Sequence, residues 1–508
     1  MRSSARLATL AAFVIFTCGA GAAAQDAAPS PQPSATASVV PAERHMVTKH
    51  TIALHGTELA YTATAGTLLV RDAGDEPIGS FFYVAYTKDG ENAGSRPLTF
   101  LYNGGPGSSS VWLHMGSLGP KRVPTPDGAI TRPAPYELVD NPQTLLDRSD
   151  LVFVDAMGTG FSRLAGKGTP KLFYGIDEDG AAFTKFIRRY ITLNDRWNSP
   201  KFLFGESYGT TRSAVLAADL EEAGISLSGV TLLSTVLDFN LLSPAPGEDL
   251  AYVGFMPTQA AVAWYHDKIP NKPSLAAFVA AAKAFADGAY AQALMRGDAL
   301  GEGERHAIAS RLASFLGIDP SFILNANLRV SPERFEKELL RSEHRTIGRL
   351  DGRFEGYDAD SAGEAPEYDP TSSVITAAFT AEFNRYVRDD LGYKSDTDYL
   401  TTNYGVVNHD WSFKHGNDWG APSVVDDLRR AMTRNPHLRV FSASGYYDLA
   451  TPFFATDYTL AHLGLPAELR AHITYGYYES GHMVYLHPQA LAALRHDLEG
   501  FYAAALAR

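Results

Sequence analysis

Cysteine is all but missing. Cys18 is the single one among 508 residues, and it falls in a stretch read below as a removable leader. No disulfide can form within the chain, so its stability has to come from packing. Clustered positive charge is missing too. The formal net charge is −13, from 44 Lys and Arg against 57 Asp and Glu, and no long basic run occurs. That excludes a phosphate-tracking surface, so nucleic acid is not an expected partner. Beyond the leader, no apolar run approaches the roughly 18 residues that a spanning helix needs, and no integral membrane association is expected of the mature chain. Hydrophobic residues make up 45% and charged residues 20%, which is material for a sizeable core.

At the N-terminus, Arg2 and Arg6 precede an apolar stretch from Leu7 to Cys18, followed by small residues from Gly19 to Ala24. This is the layout of a secretory signal over residues 1–24, cleaved after Ala24, and it predicts an exported protein, periplasmic or secreted. Thr17 is larger than the residue usual before a lipidated cysteine, so lipoprotein anchoring through Cys18 is the lesser reading. Residues 25–43, rich in Ala, Pro and Ser, read as a flexible linker.

The length exceeds that of a usual single-core domain and predicts a large domain with an insertion. Residues 47–87 alternate in short runs such as Thr51-Ile52-Ala53-Leu54, the pattern of antiparallel strands. The pattern then changes to short, nearly continuous apolar runs at 97–102, 151–154, 202–204, 230–233, 438–441 and 473–475. Strands buried on both faces read this way, and helical stretches such as 183–191 lie between them. The expected fold class is α/β, with a mostly parallel central sheet, an N-terminal antiparallel part and a helical cap insertion. Residues 44–238 form the first part of the core, 239–396 the Ala-rich cap, and 397–508 the second part. No repeat of fixed period is present.

One short stretch concentrates the chemistry. Gly205-Glu206-Ser207-Tyr208-Gly209 follows a buried strand and precedes a helical pattern. G-x-S-x-G in that context is a nucleophile elbow, with Ser207 held at a forced angle and the helix N-terminus favouring negative charge beside it. A polar turn is the bland alternative. Asn103-Gly104-Gly105-Pro106-Gly107 follows an earlier strand, where a Gly-rich loop supplies one oxyanion-hole N–H, from Gly104 or Gly105, to act with that of Tyr208. Asp448 and His482 lie in loops after the last two strands, at the same sheet edge as Ser207. In the order Ser, Asp, His they supply a nucleophile, an orienting carboxylate and a base.

Five segments together resemble the serine carboxypeptidase family of α/β hydrolases: N-G-G-P-G-S-S-S at 103–110, V-D-A-M-G-T-G-F-S at 154–162, G-E-S-Y-G at 205–209, S-G-Y-Y-D at 444–448 and G-H-M-V at 481–484. The resemblance implies Ser207, Asp448 and His482 as the catalytic triad and the Gly105 and Tyr208 amides as the oxyanion hole. It implies substrate binding at Asn103, Gly104 and Glu206, with Asn103 and Glu206 holding the C-terminal carboxylate of a peptide. It implies no cofactor and no metal. Glu206 can serve only when protonated, since two carboxylates at contact distance repel; buttressing of the elbow is its structural alternative.

The chain departs from that family in three ways. A second Glu, usual a dozen or so residues beyond N-G-G-P-G, has no counterpart among residues 112–119; Tyr446 stands where an acid usually precedes the catalytic Asp; and disulfides are missing. Peptide hydrolysis of carboxypeptidase type is therefore the expected function, with an esterase or acyltransferase on the same triad as the alternative and a non-catalytic binding protein as the rival of another class. Three further features attract weaker readings: His409 to His415 as a loop rather than a metal site, Arg345 to Arg353 as a solvated, salt-bridged surface in preference to a substrate contact from the cap, and Trp112, Tyr446, Tyr447, Tyr477 and Tyr478 as pocket-lining aromatics, with core packing as the alternative.

Overall fold

The computed structural model describes residues 40–245, 247–416 and 421–507. The leader and most of the linker lie outside them. The polypeptide first forms three long strands, β1 (His45–Leu54), β2 (Thr57–Arg71) and β3 (Pro77–Lys88), paired antiparallel in succession. The short apolar runs then become β4 (Leu98–Tyr102), β5 (Asp150–Val154), β6 (Lys201–Glu206), β7 (Gly229–Leu233), β8 (Arg439–Gly445) and β9 (Ile473–Tyr478). Their order across the sheet is β1-β2-β3-β5-β4-β6-β7-β8-β9. Every pair from β5 to β9 is parallel. A two-residue strand, Arg163–Leu164, pairs with β3. This is the mixed, mostly parallel sheet of an α/β hydrolase.

Alternation of side chains sorts the core into two layers. Phe202 and Phe204 of β6 face one side, with Phe153 of β5, while Leu203 faces the other with Val152 and Val154. Helices α1 (Ile176–Leu193) and α2 (Tyr208–Glu222) cover the second face. Helix α1 is buried at Phe183, Phe186, Ile187, Tyr190 and Ile191, the spacing of a single helical stripe, and opens with Asp177, Glu178 and Asp179, which suit the positive end of its dipole.

The insertion contributes α3 (Asp249–Tyr265), α4 (Leu275–Phe285) and α5 (Glu302–Leu316), which share a third core with Tyr447, Leu449 and Phe453 from the loop after β8. Its last helix, α6 (Pro370–Asp389), packs Phe379, Phe383 and Tyr386 into the first core instead. Asp369 caps α6 by accepting from the Thr371 N–H at 2.9 Å, with Pro370 at the first turn. Helices α7 (Val425–Arg434) and α8 (Pro488–Leu506) complete the second and first faces respectively. A hairpin of Arg345–Ile347 with Glu355–Tyr357, not evident in the sequence pattern, carries a loop of the insertion back to the sheet. Among the described residues no helix is long and apolar enough to cross a membrane.

Candidate active site

A cleft of about 520 Å³ opens at the carboxyl ends of β4 and β6, where the sheet order reverses. Ser207 stands in it between β6 and α2, with φ 60° and ψ −131°, a conformation that a residue with a side chain adopts only under constraint. The constraint is local packing. The Ser207 N–H donates to the Leu233 carbonyl at 3.0 Å, and a side chain on Gly205 would collide with the Gly209 carbonyl. A Cβ on Gly209 would stand 2.8 Å from the Tyr102 carbonyl oxygen. Gly104 is needed for the same reason, since a Cβ there would lie 2.5 Å from the Tyr208 amide nitrogen. The Asn103–Gly105 turn and the start of α2 are thus in direct backbone contact. Beneath them the buried Arg212 donates to the Asn103 carbonyl at 2.8 Å and to Asp179 at 2.6 Å, which fixes the turn to α1 and α2.

His482 reaches the cleft from the loop after β9. Asp448 Oδ2 lies 2.8 Å from His482 Nδ1, so the imidazole donates from Nδ1 and leaves Nε2 to accept. Asp448 is fully buried; its Oδ1 accepts from the Ala450 and Thr451 amides at 2.8 and 2.9 Å, and its Oδ2 accepts from the Thr451 hydroxyl at 2.6 Å. Burial is the largest influence on His482 and disfavours its charged form. The charge and hydrogen bond of Asp448, with Glu206 beyond, outweigh it and hold the imidazole above its ordinary pKa.

Glu206 is the most perturbed acid in the cleft. It is 1% exposed, and burial pushes its carboxyl up to about 7 against the opposing influence of His482 and of hydrogen bonding. Its Oε1 accepts from Asn103 Nδ2 at 2.9 Å, while Asn103 Oδ1 accepts from the Leu113 N–H at 2.9 Å. One hydrogen of the Asn103 amide therefore remains for a ligand. Glu206 Oε2 and the neighbouring Tyr485 hydroxyl are both buried, and neither closes a hydrogen bond among the described residues, although each acts on the other's ionisation. Tyr485 fits there because residue 116 is glycine: a Cβ on Gly116 would stand 2.6 Å from the Tyr485 ring. The segment without the second acid is thus filled by an aromatic ring brought from the histidine loop.

The cleft gathers Asn103, Gly104, Gly105, Glu206, Ser207, Tyr208 and His482 along its wall, with Asp448 paired behind His482. Three sequence readings need correction or completion, and one contact was not foreseen. Of the five aromatics singled out in the sequence as pocket-lining, Trp112 alone lines this cleft. Tyr446 and Tyr477 stack at 5.9 Å and line a separate groove, whereas Tyr447 and Tyr478 are buried in cores. The Arg345–Arg353 run is not uniformly a solvated surface: Arg353 is buried in a pair with Asp351 at 2.7 Å, and Arg349 lines the cleft. His415 is no free loop residue either, since Asp177 and Asp427 flank it at 2.5 and 2.7 Å and drive its pKa up to about 9. Finally, the insertion braces the histidine loop. The His482 N–H donates to the Leu350 carbonyl at 2.6 Å, and the Gly481 N–H donates to Asp351 Oδ2 at 3.1 Å. No local motif around Thr451, Tyr485 or Leu350 announces these roles.

Sheet order, strained serine turn and helical insertion define the class: an α/β hydrolase. Residues 59–257 match the serine carboxypeptidase family, a stretch that holds Asn103, Glu206 and Ser207 and ends before Asp448 and His482. Over that stretch, well under half of its length, the chain is similar to serine carboxypeptidases, and its single cysteine allows no internal disulfide. No match was found among curated proteins. Solved structures similar to the chain include the proline iminopeptidase of Mycobacterium smegmatis, 13% identical over 86% of this chain and 99% of that one, with a TM-score of 0.36. An enantioselective, directed-evolution mutant of the epoxide hydrolase of Aspergillus niger is 12% identical over 86% of this chain and 77% of that one, with a TM-score of 0.34. Neither likeness bears on the activity of this chain.

Proposed function

We propose that the protein is an exported serine carboxypeptidase that removes C-terminal residues through an acyl-enzyme. Ser207 Oγ attacks the scissile carbonyl carbon while His482 Nε2 takes its proton, and Asp448 holds the imidazole in that tautomer. The tetrahedral oxyanion is met by the backbone N–H groups of Tyr208 and Gly105 at the positive end of α2. Collapse of the intermediate breaks the C–N bond, and His482 returns the proton to the leaving amine. Water, deprotonated by the same imidazole, then attacks the Ser207 ester and frees the acyl product. The substrate's terminal carboxylate accepts from Asn103 Nδ2 and from the protonated Glu206.

The observation that carries this reading is Glu206: a buried acid beside the serine, bonded to Asn103 and kept protonated up to about pH 7. A neutral acid and an amide together suit a carboxylate ligand. The test is mass spectrometry of the products from an N-blocked dipeptide and its C-terminal amide, with Ser207→Ala alongside. Release of the last residue from the free acid only, reduced at least about a thousandfold in the alanine variant, is the expected outcome. Cleavage of both substrates, or of simple esters alone, means an esterase or acyltransferase instead. Export is tested by sequencing the N-terminus of protein recovered outside the cytoplasm, which should begin at Gln25.

A further inference from the structure

Arg349 has an unusual position for a cation. It is the single Lys or Arg among the residues lining the Ser207 cleft, and its guanidinium closes no hydrogen bond or ion pair among the described residues. Its neighbours in the same run are all engaged: Arg345 lies 3.6 Å from Glu355, and Arg353 pairs with Asp351 and Asp127 at 2.7 Å each. The acids that the Arg349 charge reaches are occupied or uncharged. Asp369 spends its Oδ1 on the Thr371 amide at 2.9 Å and its Oδ2 on the Leu350 amide at 3.1 Å. Glu336 is 3% exposed and held neutral by burial. Five N–H donors in a planar fork therefore face the cleft uncommitted, the arrangement that suits a carboxylate.

The backbone sets the side of the scissile bond that this cation serves. The Leu350 carbonyl, next in the chain, accepts from the His482 N–H, and the Arg349 carbonyl accepts from the Leu449 N–H at 3.1 Å. Arg349 is thus seated on the loop that holds the imidazole, and its charge reaches His482. The imidazole is the group that protonates the departing amine, so this wall of the cleft borders the residue that leaves.

We propose that Arg349 is a specificity-determining residue that binds the side-chain carboxylate of an acidic residue released from the C-terminus, making glutamate- or aspartate-ended peptides the preferred substrate class. The inference rests on the carboxypeptidase reading above and adds a second anionic contact, separate from that of the terminal carboxylate with Asn103 and Glu206.

The test uses three N-blocked dipeptides with one common acyl residue and Glu, Gln or Lys as the released residue, on wild-type protein, Arg349→Gln and Arg349→Glu. A charge-assisted contact predicts kcat/KM for Glu over Gln of roughly tenfold or more in the wild type. The ratio should fall towards one in Arg349→Gln, and Arg349→Glu should favour Lys over Glu. Because each ratio is internal to one protein sample, loss of folded material does not alter it. A wild-type ratio near one, equal loss on all three peptides, or a preference that follows the acyl residue overturns the proposal. Release of Gln by the wild type tests the carboxypeptidase reading itself, so the two failures are distinguishable.

Discussion

Replacing Glu206 by glutamine isolates the titration on which substrate binding is expected to turn. Gln keeps the shape and the acceptor for Asn103, and it always offers N–H hydrogen where the acid offers O–H only when protonated. With the carboxyl titrating at about 7, the protonated fraction falls to about one part in eleven by about pH 8. If only that form binds the terminal carboxylate, KM for an N-blocked dipeptide rises about tenfold between about pH 6 and pH 8. Over the same range kcat rises, because His482 must be neutral to accept the Ser207 proton and its pKa is held above the ordinary value. Steady-state kinetics across pH separates the two limbs. In Glu206→Gln the KM limb should vanish while the kcat limb persists. The same group sets a stability trend. A folded pKa of about 7 against an unfolded value of 4.5 means that the unfolded chain loses its proton first, so stability falls as pH rises through that window, by about 3 kcal/mol in all. Denaturant titrations at pH 5 and 8 should show that loss in the wild type and not in the variant. A wild-type KM that is flat from acid to neutral pH, or an unchanged KM limb in Glu206→Gln, refutes the reasoning.

Two further variants probe neighbouring features. Tyr485→Phe removes a neighbouring hydroxyl dipole that favours ionised Glu206, so the KM limb should move to higher pH while thermal stability is kept; a limb that stays in place counts against it. Asp150 anchors Arg96 at 2.8 Å and Arg196 at 2.6 Å at the start of β5, the sheet edge opposite the cleft. Asp150→Asn leaves the buried Arg196 without its counterion and Arg96 with Glu91 alone, and should cost about 3–5 kcal/mol in chemical denaturation, with kcat of the folded protein unaltered. A cost below about 1 kcal/mol shows that solvent already compensates those charges.

The sheet was legible because β4 to β7 are buried on both faces and so appear as unbroken apolar runs, while β1 shows the alternation of a half-exposed strand. The elbow was legible for a related reason. Gly205 is dictated by the Gly209 carbonyl four residues on, so that requirement shows up locally, whereas Gly209 answers to Tyr102 on the neighbouring strand. The brace on His482 is different. Leu350 and Asp351 meet it across more than a hundred residues through a backbone carbonyl, which leaves no trace in residue type, and a carboxylate that could have served anywhere. Arg349 and Arg353 show the same limit. Four residues apart in one run, they end respectively in the cleft and in a buried ion pair, and only the hairpin at Arg345–Ile347 and Glu355–Tyr357 distinguishes them.

That brace ties two properties that enzymes of modular build keep apart. The loop carrying Arg349 also supplies the carbonyl that seats His482 and the carboxylate that seats Gly481. Exchange of the insertion to acquire a new substrate range would therefore disturb the proton-transfer step as well. Retooling the pocket would call for side-chain changes on an unaltered loop path, or for a new brace along with a new cap. Motion is restricted in the same way: any opening large enough to lift this loop unseats the imidazole, so the uncovered cleft is also an idle one.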